Sequence, residues 1–393
     1  MGADPAPDSP LLADAAARWR SAYIHIPFCR RRCPYCDFAV VTPDEGGTPD
    51  IVRRYRAALA AEIGMEPEFG PLDAVNFGGG TPSTVAAGDV AEVLTELDNC
   101  FAIMPGAEVS LEANPEDWDL PLATALVEAG ITRVSLGVQS FADDTLEKLG
   151  RTHTPEQATA AVEVARAAGV GSVGIDLIFG SAYESLESWE GTVETALNSR
   201  PDHISVYALT VELGTALSRA VRSGVEPAPD ADFQADAYEL FGGQAARAGF
   251  IHYEVSNFAL PGHHVRYNLS TWAQGDYVAF GLGAHGHRAG VRRRNVRRLD
   301  AYLRMVEAGE RPEAGVEQIE GWAGEQERLM LGLRRTAGVK AGAIGRCLWE
   351  SAYGVQLREA GAIDMQGDRI VVARPLLADD VARSVLSLSP GDC

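Results

Sequence analysis

Short apolar runs recur along the chain with helix-spaced segments between them. Ala22 to Ile26 reads as a first strand, and Pro49 to Gly64 carries the spacing of the helix that follows it. Leu72 to Phe77 reads as a second strand running straight into Gly78-Gly79-Gly80-Thr81-Pro82. Next come a helix around Asp89 to Leu97, a strand near Glu108 to Ala113, a helix from Leu120 to Ala129 and a strand from Arg133 to Val138. Val173 to Ile178 and His203 to Leu209 bring the strands to six, before a helix near Ala231 to Ala248. Strands separated by helical patterns imply βαβ units and a parallel sheet. Right-handed crossovers leave a barrel or a doubly wound sheet.

The placement of the unusual polar residues chooses the barrel. Three cysteines, a glycine run, Glu112, Gln139, Asp176 and Tyr207 all fall at or near the C-terminal ends of successive strands. That is the face on which α/β barrels build active sites. The fold expected is therefore α/β, a partial (β/α)6 barrel over residues 21–255, after a flexible lead at 1–20. Beyond residue 255 the rhythm fails. Residues 256–298, with Pro261 to Gly290 rich in Gly, His and aromatics, read as a functional loop or cover. Residues 299–393 read as a small C-terminal helical and winged domain, with a Gly361 turn and a hairpin around Gln366-Gly367-Asp368.

Charge narrows the partners. The chain of 393 residues has 34 Lys and Arg against 55 Asp and Glu, a net charge of −21. Nucleic acid is not expected as a partner, because phosphate neutralisation needs many basic residues together. Arg292-Arg293-Arg294 and Arg297-Arg298 are a local exception, suited to a solvated face or to an acidic ligand such as propionates. No run of about 18 apolar residues indicates a transmembrane helix. Met1 to Pro10 lacks the pattern of an export signal, and a cytoplasmic location is expected.

The chemistry lies in Tyr23-Ile-His-Ile-Pro-Phe-Cys-Arg-Arg-Arg-Cys-Pro-Tyr-Cys-Asp-Phe38. Cys29, Cys33 and Cys36 have the spacing C-x3-C-x2-C and supply three thiolates where a [4Fe-4S] cluster normally takes four. One iron is then left for an exogenous ligand, as a catalytic zinc keeps a free position. A zinc site completed by His25 is the alternative, but no second C-x2-C or H-x3-H pair accompanies it. Cys100, Cys347 and Cys393 stand singly and suit neither a second cluster nor a disulfide framework.

This motif resembles the radical S-adenosylmethionine (SAM) superfamily. The resemblance implies that SAM binds the open iron through its amino and carboxylate groups, and that one electron from the cluster cleaves the sulfonium to a 5′-deoxyadenosyl radical. A second layer of residues is placed to hold SAM. Gly79, Gly80 and Thr81 follow a strand directly, where glycine lets backbone approach a ligand. Glu112 is placed to accept from an ammonium or hydroxyl group, and Arg151 to pair with a carboxylate. Gln139 and Asp176 are placed for ribose hydroxyls. Each also has an ordinary reading as a strand-end polar or solvent-facing residue. Asp176 fits that reading least, since a carboxylate among Ile175, Leu177 and Ile178 is costly if buried unpartnered.

From Tyr23 into the C-terminal domain the chain is similar to the branch containing oxygen-independent coproporphyrinogen III oxidase and the HemW-type haem chaperones. Carried over, the resemblance makes Cys29, Cys33 and Cys36 the cluster ligands, with SAM contacts at Tyr23, Gly79, Gly80, Thr81, Glu112, Gln139, Arg151 and Asp176. Tyr207-Ala208 is a weaker addition near the adenine. The oxidase pattern adds a fourth cysteine two residues after the third; here that place is Phe38, the pattern of the chaperone branch. The resemblance implies a haem or porphyrin ligand, a haem-accepting protein and an electron donor, and it allows a homodimer. The expected function is haem delivery, with oxidative decarboxylation of porphyrinogen propionates, or radical chemistry on another substrate, as alternatives. The chaperone motif H-N-x-x-Y-W is altered to Tyr267-Asn-Leu-Ser-Thr-Trp272, so Tyr267 and Thr271 replace its His and Tyr. Tyr267, His263, His264, His285 and His287 remain as candidate haem ligands.

Overall fold

In the computed structural model, which describes residues 13–392, six parallel strands follow one another in sequence order. They are β1 (Ser21–Ile26), β2 (Leu72–Gly79), β3 (Ile103–Ala113), β4 (Arg133–Gln139), β5 (Ser172–Phe179) and β6 (His203–Ala208). Helices Pro49–Met65, Ala87–Phe101, Leu120–Glu128, Pro155–Ala167 and Leu186–Asn198 make the crossovers. Their starts are written locally. The Thr48, Asp119, Thr154 and Ser185 side chains each accept from a backbone amide of the first turn. Pro49 and Pro155 then supply a pre-set φ just inside two of them.

Period-two alternation divides every strand into two faces. Ile24, Val75, Phe77, Leu111, Val134, Ile175 and Val206 join Leu59, Ile63, Val93, Leu126, Val162 and Trp189 from the helices in one buried core. The alternate residues, among them Tyr23, Asn76, Ser110, Glu112, Ser135 and Asp176, are polar and turn to the other side. The concave interior is therefore hydrophilic, and helix packing supplies the stability.

The sheet does not stop at six strands. It runs to twelve among the described residues, extended on both edges. Beyond β6 lie Asn257–Ala259 and Ile251–Glu254, antiparallel. Beyond β1 lies Tyr277–Phe280, parallel to it, and then His285–Arg288, Val291–Asn295 and Glu313–Gln318 in antiparallel succession. Residues 256–298 are thus largely regular structure where the sequence reading expected a loop. The strands are three to five residues long, too short for periodicity to mark them, and His285–Arg288 and Val291–Asn295 are rich in His and Arg besides. Their glycines lie between the strands, with Gly281, Gly283 and Gly290 all at positive φ.

Helix Leu299–Glu307 also belongs to this body: Tyr302, Leu303 and Val306 join the main core. A separate core begins with helix Gly321–Gly332 and gathers Leu329, Ile344, Leu348, Ile363, Ile370, Val381 and Val385. Its hairpin, Ile363–Gln366 and Arg369–Val372, turns at Gly367 and pairs with Val339–Lys340. At the other end of the chain, Ala13–Ala16 is helical and Ala16 packs with Tyr253, Ala259 and Leu269. So part of the expected lead is built into the fold, and residues 1–12 lie outside the described ones. Cys347, expected to stand alone, is disulfide-bonded. No helix among the described residues is long and apolar enough to cross a membrane.

Candidate functional site

At the C-terminal ends of the strands a cleft of about 470 Å³ is lined by Cys29, Cys33, Cys36, Gly79, Gly80, Thr81, Glu112, Gln139, Arg151, Asp176 and Tyr207. That volume is in the range of pockets that enclose small molecules. Tyr23, also expected there, is not in the lining. It sits deeper, its hydroxyl 3.2 Å from His25 Nδ1 and its ring stacked on Tyr267 at 6.0 Å.

The loop carrying the thiols is clamped at its base. Val41 N donates to Pro27 O and Cys29 N to Val41 O. Gly80 N and Thr81 N donate to Ile26 O and Phe28 O, so the glycine turn after β2 fixes the loop after β1. All three cysteines are free and partly exposed to the cleft. Burial pushes the Cys29 thiol up to about 11, opposed by the Thr81 hydroxyl, which donates to Cys29 Sγ at 3.4 Å. Burial likewise raises Cys36. Thiols held this way become thiolates when a metal takes the place of the proton. His25 does not complete a zinc site with them, because both ring nitrogens are engaged, with Tyr23 and with Ala39 O at 2.8 Å. Among the described residues no three His, Cys, Asp or Glu side chains converge as a single ion requires. A cube taking one thiolate per iron needs no such convergence.

The glycines do more than admit a ligand. A Cβ on Gly79 (φ +106°) would stand 2.3 Å from the His25 ring, and one on Gly80 2.6 Å from the Pro27 backbone. Gly78, which sequence reasoning passed over, leaves the space the Glu112 carboxylate fills: a Cβ there would be 2.5 Å from Oε1. Glu112 Oε2 accepts from Gly79 N at 3.1 Å.

Burial first, and the charge of Asp176 second, push Glu112 up to about 7. Asp176 is raised by burial, against the hydroxyls of Ser205 and Ser135, the latter donating to Oδ1 at 2.9 Å. Neighbouring strands thus offset part of its cost of burial. Two buried carboxylates, one of them disfavoured by the other's charge, favour a cation or hydroxyl donor between them. Gln139 enters the cleft because β4 breaks register after Leu136 and ends with Gln139 itself at φ +66°. A non-glycine residue in that region is the kind of strain that gathers at functional sites.

Arg151, expected to pair with a ligand carboxylate, lines the cleft. Its guanidinium donates to Asn114 Oδ1 at 2.6 Å and Gly137 O at 2.9 Å, and Nη1 lies 3.7 Å from Cys33 Sγ. Only Nε has no partner among the described residues. Asn114, which sequence reasoning missed because Asn-Pro reads as a turn, also donates to Thr81 Oγ1 at 3.2 Å. Tyr35 was missed too; it lines the cleft, its phenol raised by burial and by Cys33.

The candidate haem ligands are dispersed. His263 Nδ1 is 3.0 Å from Ser172 Oγ at the start of β5, and His264 packs edge-on against Tyr253. Tyr267 lies between Tyr23 and Tyr277, and Ser270 Oγ is 3.2 Å from Ser21 Oγ at the start of β1. These groups occupy the N-terminal end of the strands, away from the cysteines. His287 Nδ1 faces Gly275 O at 3.3 Å at the same end. Trp272 stacks under Arg334 of the second body at 4.8 Å.

Residues 23–196 match the family described as the Radical SAM superfamily. The "Heme chaperone HemW" of Mycobacterium tuberculosis (strain H37Rv) is 41% identical over 387 residues, 96% of this chain and 97% of that protein. The "Heme chaperone HemW" of Bacillus subtilis (strain 168) is 33% identical over 325 residues, covering 81% and 84% of the two chains. The solved structure of coproporphyrinogen III oxidase (HemN) from Escherichia coli superposes with a TM-score of 0.79 over 98% of this chain and 94% of that one. At 21% identity that likeness shows the fold, the partial radical SAM barrel.

Proposed function

This chain belongs to the radical SAM superfamily and, within it, to the HemW family; on that premise we propose that it is a haem chaperone carrying a [4Fe-4S] cluster and SAM. The observation that carries the reading is the cleft wall made by Cys29, Cys33 and Cys36, with Phe38 where a fourth cysteine would stand in the oxidase pattern. The three thiols would hold the cluster, which supplies an open iron and a single electron to a bound sulfonium.

The protein's own groups then have distinct tasks. Thr81 steadies the Cys29 sulfur, and Arg151 places a positive charge beside Cys33. Glu112 and Asp176, each pushed up by burial, take the amino group and hydroxyls of SAM, whose donors relieve their desolvation. Gln139 and Tyr207 close the far wall. Tyr23 supports that wall from beneath by stacking on Tyr267. Haem is the cargo, passed to an accepting protein. An electron donor, a homodimer and a cytoplasmic setting complete the reading.

The test is anaerobic reconstitution with iron and sulfide quantified, followed by hemin titration and by incubation with coproporphyrinogen III, SAM and a reductant. Four irons per chain, stoichiometric haem retention and no protoporphyrinogen are expected. Cys29→Ala, Cys33→Ala and Cys36→Ala should each lose the cluster's visible absorption and most SAM binding. Zinc in place of iron, or conversion of the porphyrinogen, would overturn the reading.

A further inference from the structure

The sheet extension beyond β1 carries His285, Arg294 and Arg297, and Arg297 reaches the cysteine loop. Strand Tyr277–Phe280 runs parallel to β1 in the register Ser21 with Tyr277 and Ile24 with Phe280, so the chain leaves it beside the cysteine end. The turn that follows is seated on the loop: a Cβ on Gly283 would stand 3.0 Å from Ala39 Cβ and 3.7 Å from Arg297 Cγ. Arg297 itself donates to Asp37 O at 2.6 Å, next to Cys36. His285 opens the return strand and pairs across it with Arg294.

Three features single out these groups. His285 is exposed and, among the described residues, its ring makes no hydrogen bond, whereas the rings of His263 and His287 do and His264 is packed on Tyr253. Partial burial and the charges of Arg294, Arg292 and Arg297 hold its imidazole below the ordinary value, leaving the ring neutral and able to donate a lone pair to a metal. Arg294 and Arg297 are exposed and have no carboxylate partner among the described residues. Arg292 pairs with Glu327 and Glu317, Arg293 with Glu313, and Arg298 with Asp300. In a chain of net charge −21, two arginines whose charges both reach His285 and that have no carboxylate partners suit a dianionic ligand. Gly315, opposite Arg294, gives that side chain room; a Cβ there would lie 2.9 Å from Arg294 Nε. Phe38, 61% exposed, lines the adjoining cleft and offers an unpaired apolar face.

We propose that haem is held at this mouth of the cleft, its iron on His285 Nε2 or Nδ1, its propionates on Arg294 and Arg297, and its ring against Phe38. The inference rests on the haem-chaperone reading and gives this chain an iron ligand other than Tyr267. That phenol is pushed far up by burial, is stacked on Tyr23, and lies at the opposite end of the strands. Haem placed by His285 adjoins the thiol loop instead, so cargo and cluster share one opening.

The experiment uses the cluster-loaded full chain and three probes: hemin, hemin dimethyl ester and metal-free protoporphyrin IX. His285→Ala is expected to shift the Soret band and weaken hemin binding about tenfold, while protoporphyrin IX, which has no iron to ligate, is unaffected. Arg294→Ala touches no residue of the cysteine loop. It should bring hemin affinity down toward that of the dimethyl ester, about tenfold for one lost charge-assisted bond, and leave the ester unchanged. Tyr267→Phe should alter none of these. Wild-type haem uptake with His285→Ala and Arg294→Ala both unchanged, or a Soret shift in Tyr267→Phe instead, overturns the assignment while the chaperone reading stands. No haem uptake by the wild type overturns both.

Discussion

The Glu112 carboxylate at the end of β3 accepts from the amide of Gly79 at the end of β2, 3.1 Å away. That amide is the one influence that favours the charged form, against burial and Asp176, and the group settles at about 7 from an ordinary 4.5. A carboxyl whose folded value is raised keeps, in that window, a proton the unfolded chain has released. Stability of the ligand-free protein should therefore fall as pH rises from about 4.5 to about 7, and Glu112→Gln should flatten the slope. SAM affinity should move the other way, rising about tenfold between about pH 6 and about pH 8 in the wild type and staying level in Glu112→Gln. Calorimetric titration across that range checks it; a wild-type profile as flat as the variant's would refute the assignment.

Gly79→Ala should be among the most damaging small substitutions in the chain. Its φ of +106° excludes a side chain, and the added carbon meets the His25 ring. A loss of about 2 kcal/mol or more is expected from backbone strain and collision together. Urea denaturation of the cluster-free protein measures it, with Gly64→Ala, where nothing lies within 4 Å, as a control expected to cost nothing.

Thr81→Val removes the hydroxyl that lowers the Cys29 thiol and accepts from Asn114. The cluster should form in lower yield and be stripped faster by a chelator, whereas Thr81→Ser should behave as wild type. The hydroxyl's bond to a thiolate is worth about 1.5–3 kcal/mol. Iron retained per chain over time is the readout, and equal retention by the valine variant would rule out this role.

Glu62 joins three elements from within the core. Its oxygens accept from Gly281 N at 2.8 Å, Tyr302 OH at 2.7 Å and Asn295 Nδ2 at 2.6 Å. Glu62→Ala leaves the Gly281 amide and the Tyr302 hydroxyl buried without that acceptor, each at about 1–3 kcal/mol, while Asn295 Nδ2 keeps its bond to Gly281 O. Loss of at least about 2 kcal/mol is expected, together with faster amide exchange in strands Tyr277–Phe280 and Val291–Asn295. Hydrogen exchange by mass spectrometry would locate the effect; protection left intact there would contradict it.

The barrel was legible because β1 to β6 each set apolar residues on the helix side at every second position, and because their loops carry the cysteines and glycines. The edges of the sheet were not. His285-Gly-His-Arg288 has no apolar alternation, and it holds its place through neighbouring strands and the Arg–Glu pairs across Val291–Asn295 and Glu313–Gln318. The reason for the glycine run was only half visible, since the atoms that exclude a Cβ belong to His25, Pro27 and Glu112, distant in sequence. Arg151 illustrates the same limit. Its charge suggested a ligand carboxylate, whereas the protein partners it also has, Asn114 and Gly137, come from two different strand ends that the sequence does not bring together.

Contacts run from Cys29 to Thr81, on to Asn114, then Arg151, and back to Cys33. They close a loop around two of the three sulfurs. A hydroxyl, an amide and a guanidinium therefore tether two of the anchoring points to each other, through side chains that come from the segments following three different strands.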